Sequence, residues 1–283
     1  MNTSLSLAVS GAVIGFATGV LLQRSRLCLV AMVSNFVLVR DPGQLRAFLA
    51  AWAVAIIGTQ ALDWGGWVAI GESSYRGAQL DWLGATAGGL AFGFGAALAG
   101  GCAARTLAQA AEGNGGSLIA LVAFAAMAAL TQFGVLASYR MNLSGHSALR
   151  LASDDNSLAA LTGVPALWLG AALALLCLMV ALGIRREDRN WRLMLAGALA
   201  GALVVAGWWA TGWLSRDEFS VGRPESLTFS GPLARIGHAL MTGETTGAIF
   251  VQTVDNTILF LRRPIPEKQI HWTILLDGQW KTA

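Results

Sequence analysis

The chain has 283 residues, of which 55% are hydrophobic and only 12% are charged. Soluble domains carry about 25% charged residues, and a soluble protein with this balance would expose apolar patches large enough to cause aggregation. The composition therefore excludes an ordinary soluble domain and favours a protein embedded in lipid, where the 34 glycines let helix backbones approach closely. The net charge of +3 says little by itself, but the positions of the basic residues along the chain are informative.

Six apolar stretches are long enough to cross a bilayer. A spanning helix needs about 20 mostly apolar residues, because the hydrocarbon core is about 30 Å thick. The first stretch begins without basic residues or a cleavage signal, so we expect a retained span rather than a signal peptide. We predict an all-α, polytopic membrane protein with about six to seven transmembrane helices. The six predicted spans cover residues 5–23, 45–62, 82–100, 117–138, 158–184 and 191–214.

Arginines cluster in the loops that follow the first and the fifth predicted spans. The positive-inside rule assigns such loops to the cytoplasm. Two clusters separated by four crossings agree with six alternating spans and predict an N-terminus outside, with the loops 24–44, 101–116 and 185–190 inside. The clusters are Arg24, Arg26, Arg40 and Arg46, and Arg185, Arg186, Arg189 and Arg192.

One sequence pattern occurs twice, and each copy leads to a cysteine. A Gly-x3-Gly pair lies nine residues before Cys28, and another lies nine residues before Cys102. Gly-x3-Gly places both glycines on one helix face, against which a second helix can pack. An arginine lies within four residues of each cysteine. The two pairs are Gly15 with Gly19, and Gly89 with Gly93; a third pair, Gly197 with Gly201, is followed at the same distance by Ala210.

Each copy ends in an irregular stretch, and the apolar run 27–39 is too short to cross the bilayer and is a candidate re-entrant segment. Irregular backbone at membrane depth survives only where protein buries it or it lines a cavity, and transporters bind substrate at such broken segments. We therefore expect Cys28 and Cys102 to face one shared cavity. The alternatives are cysteines that act only as small buried hydrophobes, and arginines that serve only as topology anchors.

The residues around both cysteines resemble the YeeE/YedE family of sulfur-compound transporters. The matching stretches are QRSRLCLVAMVSNF (23–36) and GGLAFGFGAALAGGCAARTLAQAAEG (88–113), and SLTFSGPLARIGHALMTG (226–243) resembles the family's linker into its second half. The family pattern is a basic residue before a cysteine, a glycine-rich helix ending in Gly-Gly-Cys, then an arginine and an acidic-Gly pair. In this chain those positions are Arg26, Cys28, Gly100, Gly101, Cys102, Arg105, Glu112 and Gly113.

The resemblance implies uptake of thiosulfate, or a related sulfur or selenium anion, across the bacterial inner membrane along cysteine thiols. It also implies a cytoplasmic TusA-like sulfurtransferase as a possible partner. We expect no enzymatic activity, cofactor, metal or nucleic-acid partner. Together with the anion-attracting arginines, the predicted substrate path consists of Cys28, Cys102, Arg24, Arg26, Arg105, Gly100, Gly101 and Glu112.

The chain departs from the family in its second half, where a further Gly-Gly-Cys helix is expected and none is found. Cys177 lies outside the motif and takes no role from the resemblance. We expect a membrane transport domain at 1–243 and a divergent tail at 244–283. Two alternatives to a permease stay open. One is a membrane sulfur-relay or redox protein, and the other is a half-transporter that needs a partner subunit.

Overall fold

The computed structural model describes residues 3–73, 75–77, 79–150, 155–183, 190–213 and 224–242, and the strands of two hairpins beyond them. The second basic cluster falls largely at 184–189, and the predicted domain boundary falls within 243–248, so both lie outside the described residues. The α-helices of the described part are α1 (Thr3–Ser25), α2 (Leu29–Ser34), α3 (Gly43–Trp64), α4 (Trp82–Leu98), α5 (Ala103–Ala111), α6 (Gly115–Gln132), α7 (Val135–Ser147), α8 (Leu158–Thr162), α9 (Ala166–Gly183), α10 (Trp191–Trp213) and α11 (Ser230–Thr242).

Short elements complete the described chain. A π-helix (Asn35–Val39) continues α2, and a 3₁₀ turn (Ile70–Glu72) follows α3. Strand β1 (Gln79–Leu80) pairs antiparallel with β2 (Leu149–Arg150). The tail forms two antiparallel hairpins, β3 (Ile249–Gln252) with β4 (Ile258–Leu261), and β5 (Thr273–Leu276) with β6 (Gln279–Thr282).

Six segments of the described chain are long and apolar enough to cross a bilayer, which confirms the predicted all-α, polytopic class. The first and third are discontinuous, because each joins a long helix to a shorter one across a break. The six segments are Val9–Val39, Gly43–Trp64, Trp82–Ala111, Gly115–Gln132, Ala166–Gly183 and Trp191–Trp213.

Two of the predicted spans are longer than the helices that the structure shows. The span predicted at 117–138 ends at Gln132, because the extended Gly134 starts a new helix, α7, at Val135. The span predicted at 158–184 begins only with α9. Gly163 closes the short helix α8 in the left-handed conformation (φ +71°), and the proline that follows at 165 lacks an N–H to continue a helix.

The tightest helix contact is that between α3 and α10. Gly197 and Gly201 face the backbone carbonyls of Ala47 and Ala51, and no side chain larger than hydrogen would fit there. This is the packing that Gly-x3-Gly predicts. Since α10 continues unbroken past the buried Ala210, the third glycine pair builds a helix contact and not a third cysteine-type break.

The glycine pairs of α1 and α4 do not pack in this way within the described chain. A Cβ added at Gly15, Gly19, Gly89 or Gly93 would meet no described atom within 4 Å. Along the whole of α4, Ala96 is the one buried residue. The pattern identified helices that break at their ends, but their glycine faces stay open.

Candidate functional site

The two cysteines occupy equivalent positions in two broken helices. Cys28 lies between α1 and α2, and Cys102 lies between α4 and α5. Each has an extended backbone immediately before the first turn of the shorter helix. Two residues before each cysteine the chain takes the left-handed conformation, at Arg26 (φ +53°) and Gly100 (φ +70°). The repeat seen in the sequence is therefore also a repeat of backbone geometry.

The left-handed position has a different energetic cost in the two copies. Glycine adopts positive φ without steric penalty, so Gly100 suits its position. Arg26 adopts the same conformation at a cost of about 1–2 kcal/mol. Strain of this kind persists only where surrounding contacts hold the backbone. The first break therefore needs a support that the second does not.

Gln44, on the first turn of α3, provides that support. Its side-chain Oε1 accepts a hydrogen bond from the backbone N–H of Cys28 at 3.3 Å, and its Nε2 donates to the carbonyl oxygen of Arg26 at 3.5 Å. One amide thus holds both ends of the strained segment. No feature of the sequence indicated this role, since a glutamine at the start of a span is ordinary and the contact joins residues 16 positions apart.

The breaks of the two helices lie against each other. Helix α1 contacts α5 and helix α2 contacts α4, so each half of one broken helix contacts the opposite half of the other. The Sγ atoms of Cys28 and Cys102 lie 3.6 Å apart at this crossing. Cys28 is buried, with 1% of its surface exposed, whereas Cys102 is partly exposed. The two thiols therefore meet at one point inside the membrane-spanning part of the chain.

The Cys102 side of the crossing borders a cavity of about 470 Å³. Its walls are mainly apolar and come from several helices as well as from the segment before α11. The hydroxyl of Thr106 donates to the carbonyl oxygen of Cys102 at 3.1 Å and helps to fix the start of α5. Residues lining the cavity include Leu27, Phe48, Phe92, Cys102, Phe124 and Phe229.

The predicted arginines take different positions. Arg24 and Arg26 are exposed near the end of α1, whereas Arg105 is partly buried in α5. The Nε atom of Arg105 is buried and has no hydrogen-bond partner among the described residues. Its side chain lies against the buried Gly101, where an added Cβ would be 3.1 Å from the Arg105 Cδ. Glu112 is exposed at the end of α5.

Arg46 is a buried charged residue whose burial the sequence did not predict. It belongs to the first basic cluster, yet its side chain is 1% exposed inside α3, two residues after Gln44. A charged side chain within a membrane helix is costly and marks a functional position by default.

Among the described residues, no group of three or more His, Cys, Asp or Glu side chains could hold a metal ion.

A helical bundle in which two discontinuous spans cross at a pair of thiols has the architecture of a membrane transport protein, because broken spans are where transporters place their substrate sites. Over residues 24–261 the chain matches the family described as Sulphur transport, and it belongs to that family. It is 26% identical over 259 residues to the thiosulfate transporter TsuA of Escherichia coli (strain K12), in an alignment covering 84% of this chain and 69% of TsuA. The chain is a multi-pass membrane protein for sulfur-compound transport, as the resemblance predicted.

Proposed function

We propose that the chain is a permease that carries thiosulfate, or a related sulfur or selenium anion, through the inner membrane into the bacterial cytoplasm, with its N-terminus outside. The observation that carries the proposal is the 3.6 Å contact between the sulfurs of Cys28 and Cys102 at the crossing of two broken spans. Membership of a sulfur transport family and the likeness to a thiosulfate transporter support the substrate class.

Thiols suit this path because they bind an anion without trapping it. An unpaired buried charge costs many kcal/mol, while conduction requires binding weak enough for the ion to leave. A neutral S–H is a weak donor and a soft partner for a terminal sulfur. Because the two sulfurs touch, an anion bound by one thiol reaches the other before it has left the first. Transfer between the two thiols therefore needs no diffusion of an unbound anion through the apolar interior.

The remaining predicted residues act around the thiols. Arg24 and Arg26 lie exposed near Cys28, on the side that the predicted topology assigns to the cytoplasm, where their charge would hold the anion at the inner end of the path. Arg105 offers a buried N–H on the Cys102 side. Gly100 allows the left-handed turn, and Gly101 leaves room for the Arg105 side chain. Glu112, at the exposed end of α5, completes the set carried over from the family pattern.

Uptake of radiolabelled thiosulfate into liposomes that hold the purified chain tests the proposal, with selenite and sulfate as competitors. Cys28→Ala and Cys102→Ala should each abolish uptake, because either substitution removes one donor from the crossing. The matched control is Cys177→Ala, which removes a partly exposed thiol of α9 and should leave uptake unchanged. Full uptake by both crossing variants, at equal amounts of reconstituted protein, would show that the thiols are not the path.

A cytoplasmic TusA-like sulfurtransferase is the partner we propose, because it would take the anion as it leaves the inner end of the path. Co-purification from solubilised membranes tests this partner. We also propose that residues 1–243 suffice for transport and that 244–283 form a tail. The family match extends to residue 261, so the first part of that tail shares the family's ancestry. If a chain that ends at residue 243 takes up thiosulfate, residues 244–283 are not needed for transport.

A second candidate is a half-transporter that functions only with a second subunit. The open glycine face of α4 favours it, since small residues in membrane helices normally serve close helix packing and nothing described packs on Gly89 or Gly93. Uptake by liposomes that carry single chains, counted by photobleaching of a fluorescent label, would exclude this candidate. Uptake only from multimers would support it.

A further inference from the structure

We propose that Cys28 and Cys102 are an oxidation site, a dithiol that a two-electron oxidant such as hydrogen peroxide converts reversibly into a disulfide. The proposal starts from the 3.6 Å separation of the two Sγ atoms. The two thiols belong to different broken helices that are 74 residues apart in the sequence. Neither the family match nor the likeness to TsuA concerns oxidation of these thiols.

The geometry at the crossing favours bond formation. A disulfide has an S–S length of about 2.05 Å, so the sulfurs must approach by roughly 1.5 Å from their contact distance. Both cysteines lie before the first turn of a helix rather than inside one. Their carbonyl oxygens accept the first helical hydrogen bonds, from the N–H groups of Met32 and Thr106, while the Cys28 N–H bonds to the Gln44 side chain and not to a helix carbonyl. Gly100 and Gly101 precede Cys102 directly and allow its backbone to shift. The approach therefore needs movement at two junctions and not of whole spans.

Access decides the order of the two chemical steps. Cys102 borders the 470 Å³ cavity, whereas Cys28 is 1% exposed. Peroxide, a small neutral molecule, reaches Cys102 first, and the thiol becomes a sulfenic acid with release of one water. The sulfur of Cys28 then attacks the sulfenic sulfur of Cys102. The S–S bond forms, the S–O bond breaks, and the departing oxygen leaves as a second water with the Cys28 proton.

The disulfide would also close the transport path, a consequence that rests on the proposed function. A disulfide carries no S–H, so both donors at the crossing disappear at once. The bond also joins the two spans at their breaks. Reduction by a dithiol restores both donors. The pair thereby couples sulfur uptake to the redox state of the cell.

Peptide mapping of the full chain in liposomes tests the chemistry. The protein is reduced, treated with hydrogen peroxide, blocked with an alkylating reagent and digested, and linked peptides are identified by mass spectrometry. We expect a Cys28–Cys102 cross-link that dithiothreitol removes. Cys177→Ser should form the same cross-link, and Cys28→Ser should instead carry sulfenic or sulfinic acid at Cys102.

The results separate this proposal from the proposed function. Sulfinic acid at Cys102 with free Cys28 in the wild-type chain, or a cross-link that includes Cys177, would overturn the oxidation site. A complete Cys28–Cys102 cross-link with unchanged thiosulfate uptake would overturn the closure of the path, because the donors would be gone while transport continued. If the reduced chain takes up no thiosulfate, the proposed function fails, and the peptide map alone decides the oxidation site.

Discussion

Replacing Gln44 by methionine tests whether one amide holds the first break in place. Methionine has a similar length and keeps the apolar contacts of the side chain, but it removes the acceptor for the Cys28 N–H and the donor for the Arg26 carbonyl. Leaving a buried backbone donor without a partner costs about 1–3 kcal/mol. The strained Arg26 would lose its support at the same time, and its relaxation would release about 1–2 kcal/mol.

These two terms act in the same direction, against the conformation that brings the sulfurs together. Since about 1.4 kcal/mol corresponds to a tenfold change in an equilibrium constant, we expect the population with touching sulfurs to fall by about tenfold or more. Cross-linking of Cys28 to Cys102 by a mild oxidant measures this population directly. Its initial rate should fall together with the rate of thiosulfate uptake.

Two variants make the test specific. Gln132→Met applies the same chemical change to an exposed glutamine at the end of α6 and should leave the cross-linking rate unchanged. Gln44→Glu keeps an acceptor for the Cys28 N–H but loses the donor to Arg26, so its cross-linking rate should lie between those of the wild type and Gln44→Met. A Gln44→Met protein that cross-links and transports like the wild type would refute the argument that this side chain positions Cys28.

Three further predictions concern stability, measured as melting temperature in detergent. Arg26→Gly should raise the stability by up to about 1–2 kcal/mol, because glycine accepts the left-handed turn without strain, while Arg26→Ala should not; equal melting temperatures would contradict the strain. Gly197→Leu should lower the free energy of unfolding by about 1–3 kcal/mol or more, because the new side chain would push α10 away from α3. An unchanged melting temperature would contradict the close contact between these two helices. The hydrogen bonds from Ser144 and from the N–H of Gly84 lower the pKa of Asp81, which caps α4. This stabilisation is complete above the ordinary pKa of an aspartate and disappears as the pH falls through the lowered pKa. Asp81→Ala should therefore lower the melting temperature at neutral pH and converge with the wild type in strong acid.

The sequence predicted the parts of the site that are local along the chain. The two cysteines share a distance to a glycine pair, and each lies in the short irregular stretch that ends a long helix. The equivalence of Arg26 and Gly100 was hidden, since a positive φ at an arginine leaves no trace in composition. The breaks at Gly134 and Gly163 were missed inside apolar runs, because hydropathy measures transfer into lipid and not helix continuity.

The features that the sequence did not predict depend on contacts between segments that are far apart along the chain. Gln44 acts on a break 16 residues earlier, and the burial of Arg46 depends on how neighbouring elements cover α3. The glycine pairs gave the clearest case. The same Gly-x3-Gly pattern packs closely in α10 and stays open in α1 and α4. The pattern permits a close contact on one helix face, but the arrangement of the other helices decides whether a partner is present.

The reciprocal contacts of the broken helices explain why one cysteine per repeat is enough to make a two-thiol site. Because α1 contacts α5 while α2 contacts α4, exchanging the two copies leaves the contacts unchanged, as a two-fold axis through the crossing would. Residues at equivalent positions lie closest to each other near such an axis. The duplicated break therefore brings each cysteine against its own counterpart, with the sulfurs 3.6 Å apart. If the cysteine of each copy were moved by one helical turn, both sulfurs would move away from the crossing and the contact would be lost. The nine-residue spacing from glycine to cysteine therefore determines that thiols, and not other side chains, meet at the crossing.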